Sequence, residues 1–223
     1  MQETRWWRYL LSCGLLTVPI LVWNAAFTRF LPPALGSMEF WRDIPPLVVH
    51  GENSLRFALV VLPFLMPLDV ATIAERRRLA LLVVGTLVYF AAWIPLIAVP
   101  QSGWSTSRLG FLASAYTPLI WLTGLGLVGR RLYIGWSYRW WVYVGLACGF
   151  VAFHVTHASI VYARNTRERA ADPFVAVTHQ TAAHRSTGAG IVGIVVRRKM
   201  IVSLSDQQEE RREDCPRILQ AVL

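Results

Sequence analysis

Residues 79–99 read LALLVVGTLVYFAAWIPLIAV, a run without a charged side chain that follows directly on Arg76, Arg77 and Arg78. A helix of this length is about 30 Å long at 1.5 Å per residue, which matches the hydrocarbon thickness of a bilayer. Backbone in hydrocarbon must satisfy its own hydrogen bonds, and the run lacks the alternating polarity of a barrel strand, so helix is the state it predicts.

Working outward, four more apolar runs cover residues 9–26, 57–73, 109–129 and 141–161, separated by short Arg-containing loops. The expectation is therefore an all-α integral membrane protein with five crossings in residues 1–164 and a polar, charged, mostly disordered tail at 165–223. Composition agrees with it: 55% of the 223 residues are hydrophobic, 16% are charged, and the mean hydropathy is positive, a balance foreign to soluble domains. Trp6, Trp7, Trp23, Trp93, Trp104, Trp136, Trp140 and Trp141 fall near the ends of runs, where an indole sits among headgroups. The first run resembles a secretion signal, but Trp23, Asn24 and Phe27 stand where small cleavage-site residues belong, so it reads as a retained helix.

The formal charge of +9 raises nucleic-acid binding as a class. Position argues against it, because the basic residues of the first 164 positions sit between the apolar runs, as orientation signals and headgroup contacts do. The partner expected is the lipid bilayer, with a membrane-protein partner or a second copy, and no nucleic acid. Arg5, Arg8, Arg76, Arg77, Arg78, Arg130, Arg131 and Arg139 share one side, against Arg29, Arg42, Arg56 and Arg108 in the loops of the other. That places the amino terminus in the cytoplasm of a bacterial-type inner membrane and, after five crossings, the carboxyl terminus outside. Cys13, Cys148 and Cys215 form no zinc or disulfide spacing.

Few residues here carry chemistry. Asp69 closes the second run, and it reads either as a headgroup-level ion pair with Arg76–Arg78 or as a polar path through a small carrier or channel. His154 and His157 lie one turn apart on the last run, a spacing that seats two imidazoles on one metal or haem. The loop of residues 27–56 could add His50, Glu52, Glu39 or Asp43 to a three-His or His-carboxylate set. The competing reading hydrogen-bonds both imidazoles between helices, with Thr156, Ser159 or a carbonyl as partner. Gly145 and Gly149 form a GxxxG spacing that predicts close packing of the last helix, inside the chain or with a second copy. Proline occurs within four runs, at Pro19, Pro63 and Pro67, Pro95 and Pro118, and predicts kinks there.

The sequence contains no Walker A, GxGxxG, HExxH, GxSxG or CaaX motif and no internal repeat. An enzyme is accordingly not the leading expectation. Three classes stay open: a non-enzymatic accessory or interaction component, a metal- or haem-binding redox subunit built on His154 and His157, and a small carrier or channel with Asp69 in its path.

Overall fold

A computed structural model describes residues 12–68, 72–134 and 137–171. The chain divides into two compact units, Met1–Tyr162 and Ala163–Leu223. Of the second, the described residues 163–171 continue the final helix. The architecture is all-helical, and among the described residues β pairing is limited to one isolated bridge between Ser12 and Pro67. Asp69 and residues 172–223 lie outside the described residues.

A 3-10 turn at Cys13–Thr17 feeds α1 (Val18–Phe27), which takes Pro19 in its first turn, where no helical donor is lost. The following segment carries α2 (Ser37–Trp41) and reverses at Asp43, whose φ of 54° is one that a short polar residue tolerates. Then come α3 (Pro46–Phe64), α4 (Ile73–Ala98), the short helices α5 (Gly103–Thr106), α6 (Arg108–Phe111) and α7 (Ala113–Tyr116), α8 (Pro118–Val128), and α9 (Trp140–Ala171). By length and composition, four helical stretches among the described residues could cross a membrane: Cys13–Phe30, Pro46–Phe64, Ile73–Ala98 and Trp140–Ala171.

Two expected runs are corrected. The second helix does not occupy 57–73; it ends at Phe64 and begins eleven residues earlier than expected, at Pro46. Pro67 disfavours helical backbone at Met66, and the Met66 carbonyl instead accepts from the Cys13 N–H at 2.8 Å. His50, Glu52, Asn53 and Arg56 thereby move from an outer loop into the helix. The run 109–129 is not one helix but α6, α7 and α8 in succession. Pro118 gives the Ser114 carbonyl no helical donor, and Thr117 donates its hydroxyl back to the Ala113 carbonyl at 2.7 Å.

A capping box with a buried Glu75 starts α4. The Thr72 hydroxyl accepts from the Glu75 N–H at 3.3 Å and the Glu75 carboxylate accepts from the Thr72 N–H at 2.7 Å. The Glu75 carboxylate also pairs with Arg130 beyond the end of α8. Arg78 donates to the Leu127 carbonyl at 3.3 Å, which ties the same two ends together.

Between these ends α4 and α8 approach backbone to backbone. A Cβ on Gly85 would stand 2.5 Å from the Trp121 nitrogen, and one on Gly124 would stand 2.6 Å from the Leu82 Cα. The close approach of α4 and α8 is thus made by Gly85 opposite Trp121 and Gly124 opposite Leu82. Among the described residues, Gly145 has open space where its Cβ would be and Gly149 meets Leu55 at 3.3 Å, so neither creates a close crossing there.

Leu59, Met66, Leu82, Leu125, Tyr143 and Ala147 bury the seam where α3, α4, α8 and α9 meet. Tyr143 crosses it by donating to the Leu59 carbonyl at 3.0 Å. Tyr138, in the connection before α9, donates to the Gly126 carbonyl at 2.6 Å, and burial raises its hydroxyl above the ordinary tyrosine range. A second seam of Ile44, Val48, Phe111, Leu112, Ala158 and Val161 packs the segment after α2 against α6 and α9. It holds that segment over the polar cluster.

Candidate functional site

Glu52 is fully buried, in the first half of α3. A carboxylate in such a position is tolerated only when its oxygens are satisfied, and here both are. Oε1 accepts from the guanidinium of Arg56, one turn later on the same helix, and from His154 Nδ1 at 3.0 Å. Oε2 meets Nδ1 of His157 at 2.6 Å. Both histidines come from one face of α9, as spacing by three residues dictates. Gly51 lets that face approach, since a Cβ there would press to 2.7 Å on the Phe153 ring.

The segment around α2 completes the cluster. The Phe40 carbonyl stands 2.8 Å from His157 Nε2, and the Phe40 ring stacks on the imidazole at a centroid distance of 4.0 Å. Trp41 meets the same imidazole edge-on at 4.6 Å. Phe150 stacks on His154 at 5.4 Å. The Arg56 guanidinium lies 5.8 Å from the ring centres of both Trp41 and Phe150, so aromatic faces flank the cation where water would otherwise solvate it.

Hydrogen-bond donors decide how this cluster is protonated. A backbone carbonyl only accepts, so His157 Nε2 carries a hydrogen. On the other side of the ring a bare Nδ1 would face a carboxylate oxygen, lone pair against lone pair, at 2.6 Å. One proton therefore lies between Nδ1 and Oε2. Arg56 and His154 both donate to the other carboxylate oxygen, as to a charged acceptor, so the bridging hydrogen is assigned to the His157 ring. His154 uses Nδ1 as donor, and its Nε2 has no partner among the described residues, in a side chain that is 20% exposed. The cluster thus has one end closed by the Phe40 carbonyl and another at His154, whose side chain keeps partial exposure.

The expected site residues are placed as follows. His154, His157 and Glu52 come together. His50 does not join them: it occupies an exposed position on α3, two residues from Glu52 and so well around the helix from it. Glu39 pairs with Arg42, whose guanidinium also reaches Asp43 at 3.8 Å, at the surface. Thr156 donates to the Ala152 carbonyl of its own helix at 2.8 Å and takes no part. Among the described residues no group of three or more His, Cys, Asp and Glu is arranged to hold a metal ion. The donor set gives the reason. Both nitrogens of His157 are engaged with oxygen, and His154 offers a single outward nitrogen.

Arg56, Trp41 and the Phe40 carbonyl were not singled out from sequence. The Glu52/Arg56 spacing of four was the signal, because it forms an ion pair only if the segment is helical.

Comparison with protein-family models, with curated proteins and with solved structures finds no match to this chain.

Proposed function

We propose that this chain is a multi-pass integral membrane protein, a non-enzymatic accessory component whose working element is a proton-holding clasp of Glu52, His157, His154 and Arg56. Apolar side chains facing outward support the membrane part. Only 28% of the apolar window in α4 is buried, and Val84, Leu87 and Ile94 are 54%, 60% and 55% exposed on it. Such surface is stable against lipid and aggregates in water. The Arg-rich end of α4 and α8 then lies on the cytoplasmic side of an inner membrane, by the excess of arginine there.

The observation that carries the clasp is the placement of His157 between two acceptors, which obliges the cluster to keep one proton inside apolar packing. Glu52 is a carboxylate within an apolar helix, the kind of group the sequence suggested at Asp69, which lies outside the described residues. A buried ionisable group among apolar helices is costly unless it is used or fully paired, and His154 Nε2 supplies the point through which a further proton reaches it.

Extraction and elemental analysis of the full chain test the reading. A protein that stays in carbonate-washed membranes, needs detergent for release, and carries neither stoichiometric metal nor haem absorbance supports it. Recovery as a detergent-free soluble monomer overturns the membrane part. One bound metal per chain that is lost in His154→Ala overturns the clasp in favour of a redox centre.

A further inference from the structure

The geometry points to a phosphate-binding surface for an anionic phospholipid at the paired ends of α4 and α8. This rests on the membrane reading above. Glu75 with Arg130, and Arg78 with the Leu127 carbonyl, hold the first turns of α4 beside the chain leaving α8. Arg76 and Arg77 follow Glu75 on α4 and Arg131 follows Arg130, so all three flank that junction, and all are exposed. None of these three makes an ion pair among the described residues, whereas the neighbouring Arg130 and Arg78 are engaged. Glu75 is buried and engaged with Arg130 and the Thr72 N–H, while Arg76, Arg77 and Arg131 are exposed, so the outward surface of the junction is cationic.

Apolar groups rim the same surface. Ile73 at the start of α4 is 72% exposed, and Trp140 and Trp141 at the start of α9 are 52% and 55% exposed. Tyr138 ties the start of α9 to this end of α8 through the Gly126 carbonyl. Cations level with exposed indoles match the two parts of one molecule: a phosphodiester for guanidinium forks and an acyl chain for the Trp and Ile faces. A nucleic acid or an acidic protein segment would use the arginines and leave those apolar faces without a partner. The site therefore takes a lipid with net negative charge, in the leaflet that meets the α4 and α8 ends.

The experiment reconstitutes the full chain in nanodiscs of phosphatidylcholine alone or with a minority of phosphatidylglycerol, followed by native mass spectrometry of retained lipid and thermal unfolding. Wild type is expected to retain phosphatidylglycerol selectively and to melt higher in its presence. At about fivefold in affinity per surface arginine, Arg76→Gln/Arg77→Gln/Arg131→Gln should weaken retention on the order of a hundredfold. Arg29→Gln/Arg108→Gln should leave it unchanged. Equal retention of both lipids by wild type, or equal loss in the two sets of variants, overturns the inference. Inorganic phosphate reproducing the full thermal shift in phosphatidylcholine also overturns it, in favour of a free-anion site. A chain that inserts in phosphatidylcholine yet shows no preference sinks this inference alone; a chain that inserts in neither sinks the membrane reading with it. Should the triple variant misfold, high salt applied to wild type must release phosphatidylglycerol and spare phosphatidylcholine.

Discussion

Replacing Glu52 by alanine removes in one step the acceptor of three donors: the Arg56 guanidinium, His154 Nδ1 and His157 Nδ1. What remains is a partly buried cation with no counter-charge among the described residues and an imidazole that keeps its Phe40 bond. Breaking a buried pair from one side costs about 3–5 kcal/mol. Arg56 and His154 keep 18% and 20% exposure of their side chains, through which they recover some solvation, so the lower end, about 3 kcal/mol, is expected. His154→Ala removes one charge-assisted bond at the exposed end and should cost less, about 1.5 kcal/mol. The decisive comparison is with the quadruple replacement Glu52→Leu, Arg56→Met, His154→Phe and His157→Phe, which removes every charge together. If the cost of Glu52→Ala comes from stranded donors, the quadruple variant is the more stable of the two despite four changes. Equilibrium unfolding in mixed dodecylmaltoside and sodium dodecyl sulfate micelles, followed by far-ultraviolet circular dichroism, reads all three. A Glu52→Ala variant within about 1 kcal/mol of wild type, or a quadruple variant below it, would refute the reasoning.

Glycine substitutions separate the observed close contact from the expected one. Gly85→Ala or Gly124→Ala drives a Cβ into the facing backbone and should cost about 1–3 kcal/mol by the same unfolding assay. Gly145→Ala meets open space and should stabilise by up to about 1 kcal/mol through helix propensity. A spin label at Cys148, which is exposed on α9, should be accessible to dissolved oxygen and shielded from a water-soluble nickel chelate once Cys13 and Cys215 are replaced and the chain is in liposomes. The reverse ranking would place that face of α9 in water.

Much of the helical architecture is legible in the residues, because hydropathy reads directly whether a side chain needs water. It found the runs that became α1, α4 and α9. It misplaced α3 because hydropathy treats His50, Glu52, Asn53 and Arg56 as unpaired polar groups and pushes them into a loop. In the folded chain Glu52 has its charge balanced by Arg56 and His157, and the helix can include it. Arg56 lies one turn away on the same helix, but His157 lies on another, where no local pattern shows it. The His154 and His157 spacing did mark the right face of α9. What sequence could not supply was a partner whose chemistry resides in the main chain: the Phe40 carbonyl at His157 Nε2, on which the proposed clasp depends. The GxxxG spacing at Gly145 and Gly149 lies apart from the close approach of α4 and α8, which needs small residues on both helices. Gly85 and Gly124, far apart in the chain, meet that condition.

Solid-state nitrogen NMR of the full chain, labelled at histidine and held in liposomes at neutral pH, tests the central claim most directly. With His157 assigned by its loss in His157→Gln, the account predicts hydrogens on both ring nitrogens in wild type and on one nitrogen in Glu52→Gln. A bare Nδ1 on His157 in the wild-type protein would contradict it.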